Sequence, residues 1–174
     1  MMWIAIGSLC MMFAGLTSAY IVKRNQSKWL DFDLPVVFYY STLVIMLSSV
    51  TLYLALKSFK AREIERYKFL MALTAVLGVL FAILQFRGFN YLNSHGVQLL
   101  GEGSNSAASF LFVIISLHVL HVFGGVIALL IVFAKSYSKR IKKYSSLPIE
   151  IVSTYWHFVD LLWVYLLLFF IWIR

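Results

Sequence analysis

The stretch Ala107–Ala134, AASFLFVIISLHVLHVFGGVIALLIVFA, decides the fold of this chain. It runs for 28 residues without a charged side chain. About 20 apolar residues suffice for an α-helix to cross the hydrocarbon core of a membrane. The stretch therefore predicts a transmembrane helix that is long enough to be tilted.

Four further stretches of the same kind lie on either side of it, with approximate bounds 1–22, 34–56, 69–92 and 151–173. The 174-residue chain is 62% hydrophobic and 13% charged, whereas a soluble domain has about 25% charged residues. This composition excludes a soluble globule, a disordered tail and a nucleic-acid-binding module. We predict an all-α integral membrane bundle of five transmembrane helices, which forms one domain over residues 1–174.

The basic residues predict the orientation of the bundle. Ten of the 15 lysines and arginines lie in segments 57–68 and 135–143, on one side of the membrane, and five lie on the other side. Because cytoplasmic loops are enriched in Lys and Arg, we expect a cytoplasmic N-terminus and a periplasmic C-terminus. This asymmetry explains the net charge of +8 without a polyanion, so no nucleic acid partner is expected. Met1 has no basic flank before it, which is compatible with a longer natural N-terminus.

Ionisable residues inside the apolar stretches form the candidate site. Asp160 lies about 15 Å into the fifth stretch, counted from Glu150 at 1.5 Å per residue. His157 lies one turn before Asp160, and His118 and His121 share one face of the fourth stretch. His121 is about 21 Å from the cytoplasmic end of its helix, a depth at which it is expected to pair with Asp160. His118 is less well placed for that contact.

Three interpretations of this polar cluster stay open. The favoured one is a structural, hydrogen-bonded cluster that fixes two helices in register. The second is a proton relay, since histidine titrates near neutral pH. The third is a metal site, but no further acidic ligand is in reach. The single cysteine, Cys10, excludes a multi-thiolate metal site. We expect no metal, no cofactor and no catalytic residue in this chain.

Small residues recur at four-residue spacing, as in Gly15 with Ala19 and Gly124 with Ala128. Such pairs let helix backbones approach closely in lipid. We therefore expect Gly15, Gly124 and the adjacent Gly125 to serve helix packing, within the bundle or against another subunit.

Two blocks resemble a known family. The run Tyr155–Trp163, YWHFVDLLW, is similar to the C-terminal signature of subunit III of haem–copper terminal oxidases. The run His118–Gly125, HVLHVFGG, resembles a second block of that family, and Phe13–Tyr20 resembles its first shared helix. Beside the polar cluster, the residues that carry the resemblance are Glu150, Tyr155, Trp156, Phe158 and Trp163.

The resemblance implies an accessory subunit without cofactors of its own. Such a subunit packs beside catalytic subunit I, which holds the haems and copper, and beside other oxidase subunits in a bacterial inner membrane. The implied roles are to stabilise the catalytic subunit, to support proton uptake and to bind membrane lipids. Three features depart from the family: Leu9 replaces a membrane-embedded glutamate, Val119 after His118 replaces a glycine, and five helices replace the seven of the longest members.

Other functions stay open at this point. A cytochrome c oxidase is favoured, and a quinol oxidase or a nitric oxide reductase is the alternative complex that the chain could accompany. From another class, an autonomous small transporter predicts broken helices or inverted repeats, and neither pattern is evident. A membrane-integral enzyme needs a nucleophile or metal set beyond His118, His121, His157 and Asp160.

Overall fold

The computed structural model consists of five α-helices and their connections. It describes residues 2–24, 35–94, 106–136 and 147–173, apart from the side chains of 106–108 and 136. The helices are α1 (Met2–Arg24), α2 (Val37–Lys60), α3 (Ile64–Ser94), α4 (Ser106–Ser136) and α5 (Leu147–Trp172). Each is long and apolar enough to cross a membrane, and the four described ranges contain no strand. The predicted all-α bundle of five membrane-spanning helices is confirmed.

Helix α3 begins at Ile64, earlier than the apolar pattern predicts. Its first turns carry charged residues that hydropathy assigns to a loop. Ion pairs compensate these charges at helical spacing: Lys68 Nζ lies 3.5 Å from Glu65 Oε1, and Arg66 Nη1 lies 3.3 Å from Glu63 Oε2. Hydropathy marks only the part of a helix that lies in the membrane, so it misses a charged turn that continues the helix into water.

A tight turn joins α2 to α3. Helix α2 ends in a Schellman arrangement, in which the Glu63 N–H donates to the Ser58 carbonyl at 3.0 Å and the Arg62 N–H donates to the Phe59 carbonyl at 3.1 Å. Arg62 adopts the left-handed conformation there, with φ at 65°. A residue with a Cβ carries a steric cost of about 1–2 kcal/mol in this conformation, and glycine does not.

Replacing Arg62 with glycine should therefore raise the free energy of unfolding by about 0.5–1 kcal/mol, after the entropy that glycine adds to the unfolded chain is subtracted. Denaturant titration of the full chain in detergent micelles measures the change. Arg62→Ala is the matched control, because it removes the same charge and keeps the Cβ. An equal gain in Arg62→Ala would show that the charge, and not the backbone, is responsible.

Helix α5 lies at the centre of the bundle. It packs against α1, α2 and α4, while α3 packs against α2 and α4. Half of the membrane-spanning window of α5 is buried, compared with 22% for α1. The candidate residues of α5 are therefore placed against three neighbouring helices.

The outer surface of the bundle is apolar. Every helix exposes large hydrophobic side chains, such as Trp3, Leu43, Phe69, Leu120 and Leu161. A surface of this kind is rare on a protein that faces water. Together with the five spans it identifies a multi-pass membrane protein whose flanks face lipid or other membrane proteins.

Candidate functional site

Two buried tryptophans connect α5 to α2. The Trp156 Nε1–H donates to Ser48 Oγ at 3.0 Å, and the Trp163 Nε1–H donates to Thr42 Oγ1 at 2.9 Å. Each tryptophan is 1% exposed, and a buried indole N–H requires an acceptor. The two acceptor hydroxyls donate their own protons to carbonyls of α2. All the hydrogen-bonding groups in these two contacts are thereby satisfied.

His157 and Asp160 approach the same hydroxyl of α2. Ser49 Oγ lies 2.5 Å from His157 Nδ1, and it is also near enough to interact with the Asp160 carboxyl. Asp160 is 3% exposed, and neither of its oxygens completes a hydrogen bond with any residue in the described ranges. This half of the polar cluster lies between α5 and α2, and its carboxyl is not held by a defined structural bond.

His118 is enclosed by aromatic rings from three other helices. Its ring stacks on Trp163 of α5, with the centroids 5.3 Å apart. Phe13 of α1 and Phe81 of α3 meet it edge-on, at centroid distances of 6.3 Å and 5.9 Å. The side chain is fully buried, and neither ring nitrogen has a partner in the described part of the chain. His118 thus packs as a flat ring where four helices meet.

The expected hydrogen bond between His121 and Asp160 is not formed, so that prediction is wrong. The Nδ1–H of His121 donates instead to the Leu117 carbonyl of its own helix at 2.6 Å, and its ring meets the edge of Phe13. The Tyr155 hydroxyl also donates to the His121 carbonyl, at 3.1 Å. Counting residues along a helix predicts the depth of a side chain in the membrane but not the direction in which it points around the helix axis. The imidazole of His121 is satisfied by a carbonyl of its own helix.

Two glycines make room for Trp156. A Cβ on Gly125 would lie 3.0 Å from Trp156 Cε3, and a Cβ on Gly78 would lie 2.7 Å from Trp156 Cη2. Both distances are far inside the 3.5–4.0 Å optimum for carbon atoms. Gly125 therefore packs within the bundle, and Gly78 of α3 lines the same space around Trp156.

Gly15 and Gly124, by contrast, face away from the bundle. A Cβ at either position would meet no atom of the described residues within 4 Å. Exposed apolar side chains, including Leu120 and Ile127, surround Gly124 on α4. These two glycines leave the outer surface of α1 and α4 open to close approach by another helix.

The remaining residues of the sequence signature also contact neighbouring helices. Glu150 Oε1 lies 3.0 Å from Lys60 Nζ, which connects the start of α5 to the end of α2. The Lys60 and Glu150 side chains are 57% and 41% exposed, so this ion pair contributes at most about 1 kcal/mol. Phe158 is half-buried and packs against the core. At the edge of the bundle, Thr17 Oγ1 lies 3.2 Å from the Tyr165 hydroxyl.

Within the described ranges, no group of three or more His, Cys, Asp and Glu side chains is placed to hold a metal ion. His118 is surrounded by aromatic rings, His121 is bonded to its own helix, and His157 contacts α2. The three histidines therefore do not converge on one point.

Sequence reasoning missed the α2 side of this site. The acceptors Thr42, Ser48 and Ser49 look like ordinary helix hydroxyls, yet hydroxyls at 41/42 and 48/49 recur seven residues apart. Trp156 and Trp163 are also seven residues apart. Helices that cross at a shallow angle repeat their contacts about every seven residues. The shared spacing was thus the available signal for the contact between α2 and α5.

Fold and site together define a multi-pass membrane bundle in which buried polar groups mainly connect one helix to another. A family model of cytochrome c oxidase subunit III matches residues 29–174. The chain belongs to the cytochrome c oxidase subunit III family, whose members are accessory subunits of haem–copper oxidases.

Individual relatives extend this similarity over nearly the whole chain. The chain is 24% identical to the cytochrome c oxidase subunit 3 of Bacillus sp. (strain PS3), over 94% of this chain and 80% of that protein. It is 29% identical to the probable cytochrome c oxidase subunit 3 of Mycobacterium leprae, over 91% and 79%. It is also 24% identical to the cytochrome bo(3) ubiquinol oxidase subunit 3 of Pseudomonas aeruginosa, over 93% and 78%. The chain is therefore a component of a multi-subunit oxidase.

Proposed function

We propose that this chain is a cofactor-free accessory subunit that packs beside catalytic subunit I of a bacterial cytochrome c oxidase. In this proposal the haems and copper reside in subunit I, and the complex lies in the inner membrane. The chain stabilises subunit I, binds lipids on its apolar flanks and supports proton uptake. The observation that carries the proposal is the outward placement of Gly15 and Gly124 on an apolar surface, which offers close contact to another membrane helix.

Purification in mild detergent tests this function. A tagged full-length chain, expressed with its natural partners, should co-purify with a haem- and copper-containing subunit that the absorption spectrum reveals. After the complex is dissociated, the chain alone should retain no equivalent of haem, copper or iron. A chain that purifies without a haem protein would contradict the proposal, and a stoichiometric metal lost in His118→Ala or His121→Ala would contradict the absence of a cofactor.

The Pseudomonas aeruginosa relative supports a second candidate, a quinol oxidase, because its name assigns it to a ubiquinol oxidase. The electron donor distinguishes the two. The purified complex is supplied with reduced cytochrome c or with a short-tailed quinol while oxygen consumption is recorded. Turnover with cytochrome c alone supports the first candidate, and turnover with quinol alone supports the second.

The excess of basic residues in segments 57–68 and 135–143 predicts the orientation. A reporter that is active only in the periplasm should be active when fused after Arg174. The same reporter inserted within 135–143 should be inactive, and a reporter that is active only in the cytoplasm should show the opposite pattern. Periplasmic activity at 135–143 would reverse the proposed orientation.

A further inference from the structure

One long face of α5 is exposed on the outside of the bundle. Helix α1 packs against one side of α5 and helix α2 against another. Between them α5 exposes Leu161, Leu168 and Trp172, of which Trp172 is 81% exposed. With Tyr165 between them, these residues follow His157 at steps of three or four residues. They therefore lie on one face, which extends about 22 Å along the helix.

His157 brings a polar group to this face. Its Nδ1 lies 2.5 Å from Ser49 Oγ of α2, which leaves Nε2 as the second nitrogen of the ring. No residue in the described ranges bonds Nε2. The side chain is only half-buried, and Nε2 is not closed off inside the bundle, unlike the two oxygens of Asp160. A group from outside the chain can therefore reach it.

The depth of His157 restricts what can meet Nε2. Glu150 forms an exposed ion pair with the end of α2 and so marks the level at which charged side chains leave the membrane. His157 lies seven residues further along α5, about 10 Å deeper. Beside it, Val50 and Leu161 make the surface apolar. At this depth water and lipid headgroups are scarce and acyl chains offer no hydrogen bond, so another membrane protein is the source of a partner.

A groove continues this face toward the C-terminal end of α5. It has a volume of about 500 Å³ and lies between α1 and α5. Tyr165, Leu168 and Trp172 line it on α5, and Ala14 and Ser18 line it on α1. Small residues four positions apart let a second helix approach closely in lipid. The face and the groove together have the length and the shape to receive a transmembrane helix.

We propose that a transmembrane helix of another oxidase subunit packs along this face of α5, with an uncharged polar side chain bonded to His157 Nε2. The inference rests on the proposed function, because the partner belongs to the same complex. Nε2 donates or accepts according to whether Ser49 donates to Nδ1 or accepts from it. The partner side chain is a hydroxyl or a carboxamide, since each of these groups can both donate and accept.

Photo-cross-linking tests this contact in membranes that contain the full chain with its natural partners. A benzophenone amino acid is incorporated in place of Leu161, which lies one turn from His157 on the same face and is 69% exposed. We expect a cross-link to a transmembrane peptide of another subunit of the oxidase, identified by mass spectrometry. The control position is Val76, which is 63% exposed on α3.

Two variants of His157 isolate Nε2. Glutamine places its amide nitrogen near the position of Nε2, whereas asparagine places it near that of Nδ1, beside Ser49. Compared at equal amounts of folded chain, His157→Asn should lose half of the Leu161 cross-link at a protein-to-detergent ratio about three- to fifteenfold higher than His157→Gln does. This is the factor that one hydrogen bond between membrane helices predicts. Cross-linking from Val76 should not differ between the two variants.

Three results would overturn the proposal. Cross-links from Leu161 to lipid alone would show that lipid covers the face, and a cross-link between two copies of this chain would assign the face to self-association. Equal ratios for His157→Asn and His157→Gln would show that Nε2 is not recognised. The haem spectrum of the same samples separates this contact from the proposed function. A haem protein that is retained beside a lipid-only cross-link leaves the proposed function intact, whereas its absence contradicts both.

Discussion

Replacing Gly125 with leucine should abolish most of the folded yield of the chain. A Cβ at this position would be 3.0 Å from Trp156 and 3.3 Å from Tyr155, and the larger leucine side chain would push α4 away from α5. Overpacking of this kind costs about 1–3 kcal/mol, and the displaced Trp156 would also lose its bond to Ser48. Size-exclusion chromatography of the detergent extract measures the folded yield.

The neighbouring Gly124 supplies a matched control on the same turn of the same helix. Gly124→Leu should preserve the folded yield, because a side chain there meets nothing in the described part of the bundle. It should instead lower the amount of haem protein that co-purifies, because leucine prevents close approach by a partner helix. Gly15→Leu should behave in the same way. Unchanged co-purification in both outward variants would remove this surface from the proposed interface.

Replacing Asp160 with leucine should maintain the folded yield or increase it. The carboxyl is buried, and neither oxygen completes a hydrogen bond with a described residue. Replacing an unsatisfied buried polar group with an apolar one of similar size gains up to about 1–3 kcal/mol. His157 keeps its own contact with Ser49 in this variant. A clear loss of folded yield would contradict this expectation and support the structural interpretation of the cluster.

If Asp160 does not stabilise the fold, the proton-related interpretation predicts a second result. Asp160→Asn has nearly the same shape, so the variant should assemble normally. Its oxygen consumption should fall relative to wild type as the pH rises, since protons are scarce in alkaline solution. Ser49→Ala is the control for a disturbed contact with α2. A pH profile of Asp160→Asn that overlays that of wild type would exclude a role in proton supply.

Hydropathy alone was sufficient to predict the five helices. Each span is a long apolar stretch. Because an unpaired backbone N–H or C=O group is costly in lipid, such a stretch folds as a helix, which pairs these groups internally. The charged beginning of α3 was missed because ion pairs such as Lys68 with Glu65 make a helix stable outside the membrane. Patterns of apolar residues do not report those pairs.

The candidate site was predicted less completely. Spacing along α5 placed Asp160 and His157 on one face, but depth along a helix does not determine which neighbour that face meets. The side chains turned out to meet Ser49 of α2, and His118, expected to be less well placed, lies where four helices meet. Which neighbour a helix face meets depends on packing between helices that are far apart in the chain. A single sequence does not distinguish one apolar outer helix face from another.

The tryptophan contacts between α2 and α5 also bear on how the chain is made. Thr42 and Ser48 donate their protons to carbonyls of their own helix, so α2 can enter the bilayer without waiting for a distant partner. The indole donors follow 121 and 108 residues later, in α5, which leaves the ribosome after α1 to α4. The acceptors are thus inserted before the donors. A nascent chain interrupted before α5 would hold a bundle without its central helix, which gives membrane proteases a structural mark of incomplete synthesis.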